Sequence, residues 1–368
     1  MLVRLLSITY LSLVTLAISS ISASAQSRPI IAQADRLELN NLLLEGKQHV
    51  ESQNYNRALE LYQQAAELDR QNSEIFSGIG YVQTLKEDYD AAILAYEQAI
   101  ALDPNNPKLY YALGFSLGRE GKNLRAAEAY ERAIELEPDN LQSYLGLGVV
   151  LVRAEAYDRA LETYQTILNL TPDNELAYRV IASILIQQQR YSKAVALLQK
   201  AVQQQPYSTD LKLQLATALL NQGKTKAGLQ ALELAKKNAP QNHTISLQIA
   251  NILYQQGELE SALSEYKWAL RFEPNLLPAI EGVGKIYLAQ QNYSRAIVNF
   301  RRLIELEPNN PIGYHNLGIA LKARKRTQEA IAAFDRALKL YRSNGEDGQA
   351  DKVGVLIKQI NNSPTVSN

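Results

Sequence analysis

Five carboxylates stand at one place in a recurring phrase: Asp69, Asp103, Glu137, Glu273 and Glu307. Carboxylates in register can do two kinds of chemistry. Two of them can share a proton as acid and base, or several can hold a hard cation, which takes oxygen ligands at roughly 2.1–2.5 Å. Spacing decides between these uses. Asp69, Asp103 and Glu137 are 34 residues apart, as are Glu273 and Glu307. If each belongs to its own helix pair, neighbours lie on the order of 10 Å apart and cannot share an ion. Glu135, Glu137 and Asp139 form a tighter group, which reads as a solvated acidic edge. The histidines, His49, His243 and His315, fall in three distant stretches and do not converge. With no cysteine there is no disulfide, thiolate zinc site or cysteine nucleophile. Glycines are spread along the chain, so no phosphate-cradling loop forms. The chain therefore reads as a non-enzyme that folds without a cofactor, and no metal ligand is assigned.

The residues better suited to function are binding residues. Tyr81, Tyr111, Phe115, Leu145, Val149 and Val152 form an apolar strip, with Gly78, Ala112 and Gly146 beside it to leave room. Arg119, Arg153 and Arg179 complete it. Aromatic platforms with guanidinium forks suit an extended peptide that carries a carboxylate. The expected peptide-binding residues are Tyr81, Tyr111, Phe115, Arg119, Val149, Arg153 and Arg179, and the partner is a client polypeptide. Formal net charge is zero, which gives no general basic excess for nucleic acid.

Regular elements must position these side chains, and the sequence displays their period. LDPNNPKLYYALG begins at Leu102, and LEPNNPIGYHNLG begins at Leu306. Prolines stand at Pro104, Pro138, Pro172, Pro206, Pro240, Pro274 and Pro308, every gap being 34 residues. In this frame nine units begin at Leu39, Ser73, Pro107, Leu141, Glu175, Thr209, His243, Leu277 and Pro311. The eighth residue of each is small: Gly46, Gly80, Gly114, Gly148, Ala182, Ala216, Ala250, Gly284 and Gly318. So is the twentieth: Ala58, Ala92, Ala126, Ala160, Ala194, Gly228, Ala262, Ala296 and Ala330. Large residues recur at the twenty-fourth, from Tyr62 to Phe334. This predicts two antiparallel helices per unit that nest where side chains are small. Proline ends the second helix, because it lacks an N–H and biases its predecessor away from helix.

These small residues, aromatics and prolines resemble the tetratricopeptide repeat family over residues 39–344. The resemblance implies an all-α fold, a right-handed α-solenoid superhelix of nine 34-residue helix pairs whose first helices line a concave groove. Departures are local: alanine for the first glycine in repeats five to seven, Gly228 for alanine, and Arg70 and Arg342 in place of the terminal proline. The lysine–asparagine pattern of members that clamp chaperone tails is not found. The asparagine row of sugar-transferase-linked members is reduced to Asn316.

The two ends differ from the array. Residues 1–25 hold one charge, Arg4, then an apolar run from Leu5 to Ile21 and an Ala23-Ser24-Ala25 exit. That is the form of a cleavable secretory signal, with cleavage after Ala25 and a periplasmic protein as the outcome. Residues 26–38 read as a linker, and 345–361 as the stretch of a capping helix whose stripe is Ala350, Val353, Leu356, Ile357 and Ile360. The tail, 362–368, reads as disordered. Charge is also divided. Residues 26–174 hold 13 Lys and Arg against 23 Asp and Glu, a net of −10, and residues 175–368 hold 24 against 15, a net of +9. The basic half suits peripheral contact with an anionic membrane surface, or an acidic domain.

A secretory signal, nine repeats and no second domain also resemble the periplasmic tetratricopeptide assembly factors of photosystem II. That resemblance implies binding and maturation of the precursor reaction-centre protein's C-terminus, with manganese supply. The alternative is a structural part of a cell-envelope secretion or polysaccharide-export machine.

Overall fold

The computed structural model describes residues 33–361. The expected signal segment, most of the linker and the tail lie outside this range. Among the described residues there are 19 helices and no strand. The described residues divide into two compact units between Arg190 and Tyr191, a boundary inside the fifth 34-residue period.

The first unit contains α1 (Gln33–Glu51), α2 (Tyr55–Leu68), α3 (Ser73–Leu85), α4 (Tyr89–Leu102), α5 (Pro107–Arg119), α6 (Asn123–Leu136), α7 (Leu141–Arg153), α8 (Tyr157–Leu170) and α9 (Glu175–Gln187). The second contains α10 (Tyr191–Gln204), α11 (Thr209–Asn221), α12 (Thr225–Asn238), α13 (His243–Gln255), α14 (Leu259–Phe272), α15 (Leu277–Ala289), α16 (Tyr293–Leu306), α17 (Pro311–Ala323), α18 (Thr327–Ser343) and α19 (Asp347–Asn361). Within each unit every helix packs against its neighbours in sequence, and odd-numbered helices also touch: α3 with α5, α5 with α7, α13 with α15 and α15 with α17. This is the layering of an α-solenoid of helix pairs. Eight of the nine expected unit starts coincide with the first residue of a helix. The exception is the first, where α1 begins at Gln33, so residues 33–38 are helix rather than linker.

Local chemistry sets these boundaries. The side chains of Asn72, Asn106, Asn140, Asn174, Ser208, Asn242 and Asn310 each accept a backbone N–H from the first turn that follows. Each such cap contributes about 1 kcal/mol. The carboxylate ladder is explained at the same place. Asp103, Glu137 and Glu307 accept the side-chain N–H of Asn106, Asn140 and Asn310, at 3.1, 2.9 and 2.6 Å. Asp69, which is buried, accepts the backbone N–H of Gln71. These carboxylates fasten the turn between units.

The turn inside each unit depends on one left-handed residue. Positive φ recurs at Gln53, Glu87, Gly121, Glu155, Gln189, Gly223, Gly257, Gln291 and Lys325. Only three of these are glycine. Gly121 has φ +82°, and a Cβ there would meet nothing within 4 Å. Gly121→Ala therefore isolates the backbone cost, and is expected to lower stability by about 1 kcal/mol in urea titration.

In the core the small residues meet, a Cβ on Gly228, the twentieth of its unit, standing 3.4 Å from the carbonyl oxygen of Ala216, the eighth, and large residues fill the space around them. The eighth residue faces the ring at the twenty-fourth. A Cβ on Gly80 would stand 2.8 Å from Tyr96, one on Gly148 2.7 Å from Tyr164, and one on Gly318 2.6 Å from Phe334. The sixth residue meets the ring of the preceding unit: Gly78 faces Tyr62, Gly146 faces Tyr130 and Gly282 faces Tyr266. Tyr130, almost fully buried, is thus held between Gly114 of its own unit and Gly146 of the next. The space beside Gly78 and Gly146, expected to be open for a ligand, is occupied by tyrosine.

A candidate peptide-binding face

α5 presents Tyr111, Phe115 and Arg119 on one side, because residues four apart share a helix face. Tyr81 comes from α3, Val149 and Arg153 from α7 and Arg179 from α9. Tyr81, Tyr111 and Phe115 are half-buried, so each ring is seated yet offers an edge. The ring of Tyr111 lies edge-on to Tyr130, centroids 5.7 Å apart at 67°. Burial pushes its hydroxyl pKa up. Tyr81 is pushed the same way by burial and then by Tyr55. Both phenols stay protonated and able to donate.

Arg119 is the most accessible polar group of the face. Its guanidinium sits 5.2 Å over the ring centre of Tyr89 and 6.0 Å from that of Phe115. Its ion pair to Glu87 is loose, at 3.8 Å. An exposed pair of this kind holds little energy, so a ligand carboxylate can replace Glu87. Tyr89 was missed in the sequence, although tyrosine also opens the second helix at Tyr55, Tyr157, Tyr191 and Tyr293.

Two expected residues have other work. Val149 is only 4% exposed, and no ligand can reach it. The run from Gly146 to Val152 is buried on every side, so α7 has no open apolar stripe there. Arg153 donates from Nη1 to the carbonyl of Gly118 at 3.1 Å and so satisfies the end of α5. Arg179 is half-buried on α9. A hydroxyl pair, Thr84 and Ser116 at 3.3 Å, ties α3 to α5 beneath the face. The face consists of Tyr81, Tyr111, Phe115 and Arg119, with Tyr89 as support.

No His, Asp or Glu group of three suited to a metal occurs among the described residues. Glu135 is paired with Arg132 at 2.6 Å. No described helix is long and apolar enough to cross a membrane. In the second unit, His315 on α17 lies edge-on to Phe334 and Tyr341, at 6.1 and 6.2 Å. Burial, and then the charge of Lys352, lowers its pKa from 6.5. The fold favours neutral imidazole, so its contribution is fully present above the unfolded pKa and lost as pH falls through the lowered folded value. Acidification below about pH 6.5 is expected to destabilise the second unit, and His315→Gln to reduce that slope. Trp268, the single tryptophan, reports on this unit by fluorescence.

Sequence search among curated proteins gives no match. Four family models do match, all described as TPR or tetratricopeptide repeat, over residues 84–121 and 284–324, 111–175 and 157–209, 185–243, and 311–344. Among solved structures, the C-terminal part of a TPR repeat-containing protein from Cytophaga hutchinsonii superimposes with TM-score 0.58 at 15% identity, over 65% of this chain and 98% of that one. A tetratricopeptide repeat protein from Parabacteroides merdae gives TM-score 0.45 at 20% identity, over 68% and 98%. Yeast Tom70 gives 0.41 at 16%, over 89% and 96%. The 34-residue helix pairs, their glycine–aromatic contacts and the matching family models agree that the chain belongs to the tetratricopeptide repeat family.

Proposed function

We infer that this tetratricopeptide array is a scaffold suited to protein–protein interaction. We propose that this chain is exported and holds a client polypeptide on the first-unit face built by Tyr81, Tyr111, Phe115 and Arg119, without catalysing a reaction. The observation that carries this reading is the half-buried aromatic row with Arg119, whose carboxylate partner is loosely held. The ligand chemistry is an extended segment with an apolar side chain for the rings and a carboxylate for the guanidinium. Export rests on the apolar run and Ala23-Ser24-Ala25 exit of the sequence.

In the finer reading, the client is the photosystem II reaction-centre precursor, and support for it is architectural. Manganese supply rests on that resemblance alone: three of the five ladder carboxylates, Asp103, Glu137 and Glu307, bond turn asparagines, and no ligand group of three occurs among the described residues. Capture from a periplasmic extract with immobilised wild-type protein and the Phe115→Ala/Arg119→Ala variant tests the reading. The expected result is one polypeptide retained by wild type and lost by the variant. Equal retention by both would refute the face, and retention of export-channel components would replace the client with an envelope machine.

A further inference from the structure

The turn between the two helices of a unit is the same piece of backbone every 34 residues, marked by its left-handed residue. In the first unit this edge carries Glu120, Glu155 and Asp158, all exposed and, among the described residues, without an ion pair or side-chain hydrogen bond. Neighbouring carboxylates are neutralised locally: Asp90 by Lys122 at 2.6 Å and Glu97 by Arg125 at 2.7 Å. In the second unit the same edge carries Lys322, Arg324 and Lys325, again exposed and unpaired among the described residues. The adjacent Arg326 is satisfied by Glu329 through two bonds of 2.7 Å. Glu120 and Glu155 thus hold the fourteenth and fifteenth places of their repeats, as Arg324 and Lys325 do of theirs, while Asp158 lies in the first turn of α8 and Lys322 in the last turn of α17.

We propose that these two edges bind each other between copies of the chain, the acidic turns of one molecule meeting the basic turns of a second. Charge complementarity selects this occupant. The halves of the sequence carry net charges of −10 and +9, nearly equal and opposite. A polyanion such as a lipid surface or nucleic acid would gain at Lys322, Arg324 and Lys325 and would leave Glu120, Glu155 and Asp158 unmatched. A second copy offers the complement of each patch. The pairs are exposed and individually weak, so association depends on several together and on low ionic strength, the screening length being about 10 Å at 0.1 M salt and about 3 Å at 1 M.

The test is analytical ultracentrifugation of the full chain across a concentration series. Wild type is expected to self-associate at about 20 mM salt, with an apparent Kd raised at least about tenfold at roughly 0.3 M. Two charge-reversed proteins are expected to stay monomeric alone: Lys322→Glu/Arg324→Glu/Lys325→Glu, and Glu120→Lys/Glu155→Lys/Asp158→Lys. Mixed together they are expected to form a complex. Glutamate at position 325 suits the backbone, since Glu87 and Glu155 adopt the same left-handed conformation at φ 62° and 57°. Circular dichroism melts confirm folding, and alanine in place of the reversed residues serves if a reversal unfolds. A wild-type monomer at low salt, self-association indifferent to salt, or a mixture that stays monomeric overturns the proposal. So does binding of the monomer to phosphatidylglycerol vesicles that is lost with Lys322, Arg324 and Lys325.

Discussion

Tyr130→Ala is expected to lower the stability of the first unit by about 4 kcal/mol, the largest effect of any single substitution considered. Three features add up at this ring. It is almost fully buried, so truncation removes a large apolar area. It fills the notches of both Gly114 and Gly146, so the cavity would open between two repeats. It also supports Tyr111 edge-on. Backbone alone borders the ring at the two glycines, so collapse cannot close the gap. Amide exchange is expected to show lost protection across α5, α6 and α7. Protection unchanged there would mean that Tyr130 does not join these repeats.

Phe115→Ala with Arg119→Ala is expected to weaken client binding at least about 30-fold, while melting stays near that of wild type. Truncating an anchor of this kind typically costs about 2 kcal/mol or more, and about 1.4 kcal/mol is tenfold in affinity. Both side chains are partly exposed, and Arg119 has only a 3.8 Å ion pair and ring contacts to lose. Arg153→Ala is the instructive contrast. It leaves the Gly118 carbonyl without its guanidinium donor, so its effect is expected in stability before affinity. A groove variant that binds client as wild type does would exclude this face.

The repeat frame was legible because strong local signals recur: a proline seven times at 34-residue gaps, and a small residue at the eighth and twentieth places of every unit. Other features depend on contacts that sequence order conceals. The left-handed turn has glycine at Gly121, Gly223 and Gly257 only, and elsewhere glutamine, glutamate or lysine accepts the strain, leaving no compositional mark. Spacing ruled out an ion shared between Asp103, Glu137 and Glu307, but could not show that the asparagine three residues on is the partner of each. Val149 was placed on the face by its period, but α7 is apolar all round at that level and buries it. Arg153 points to a carbonyl of the preceding repeat, a partner no side-chain pattern can display. Tyr111, Phe115 and Arg119 do share one side of α5, because spacing within a helix fixes which residues lie together.

The most direct test of the account is site-specific photo-crosslinking to client. A photoreactive phenylalanine analogue replaces Tyr81 or Phe115 on the proposed face, and in separate proteins replaces Leu94 or Leu124, which are 68% and 60% exposed on α4 and α6. The account predicts crosslinks from positions 81 and 115 and none from 94 or 124. Crosslinks from 94 or 124 with none from 81 and 115 would place the client on the second helices and contradict it.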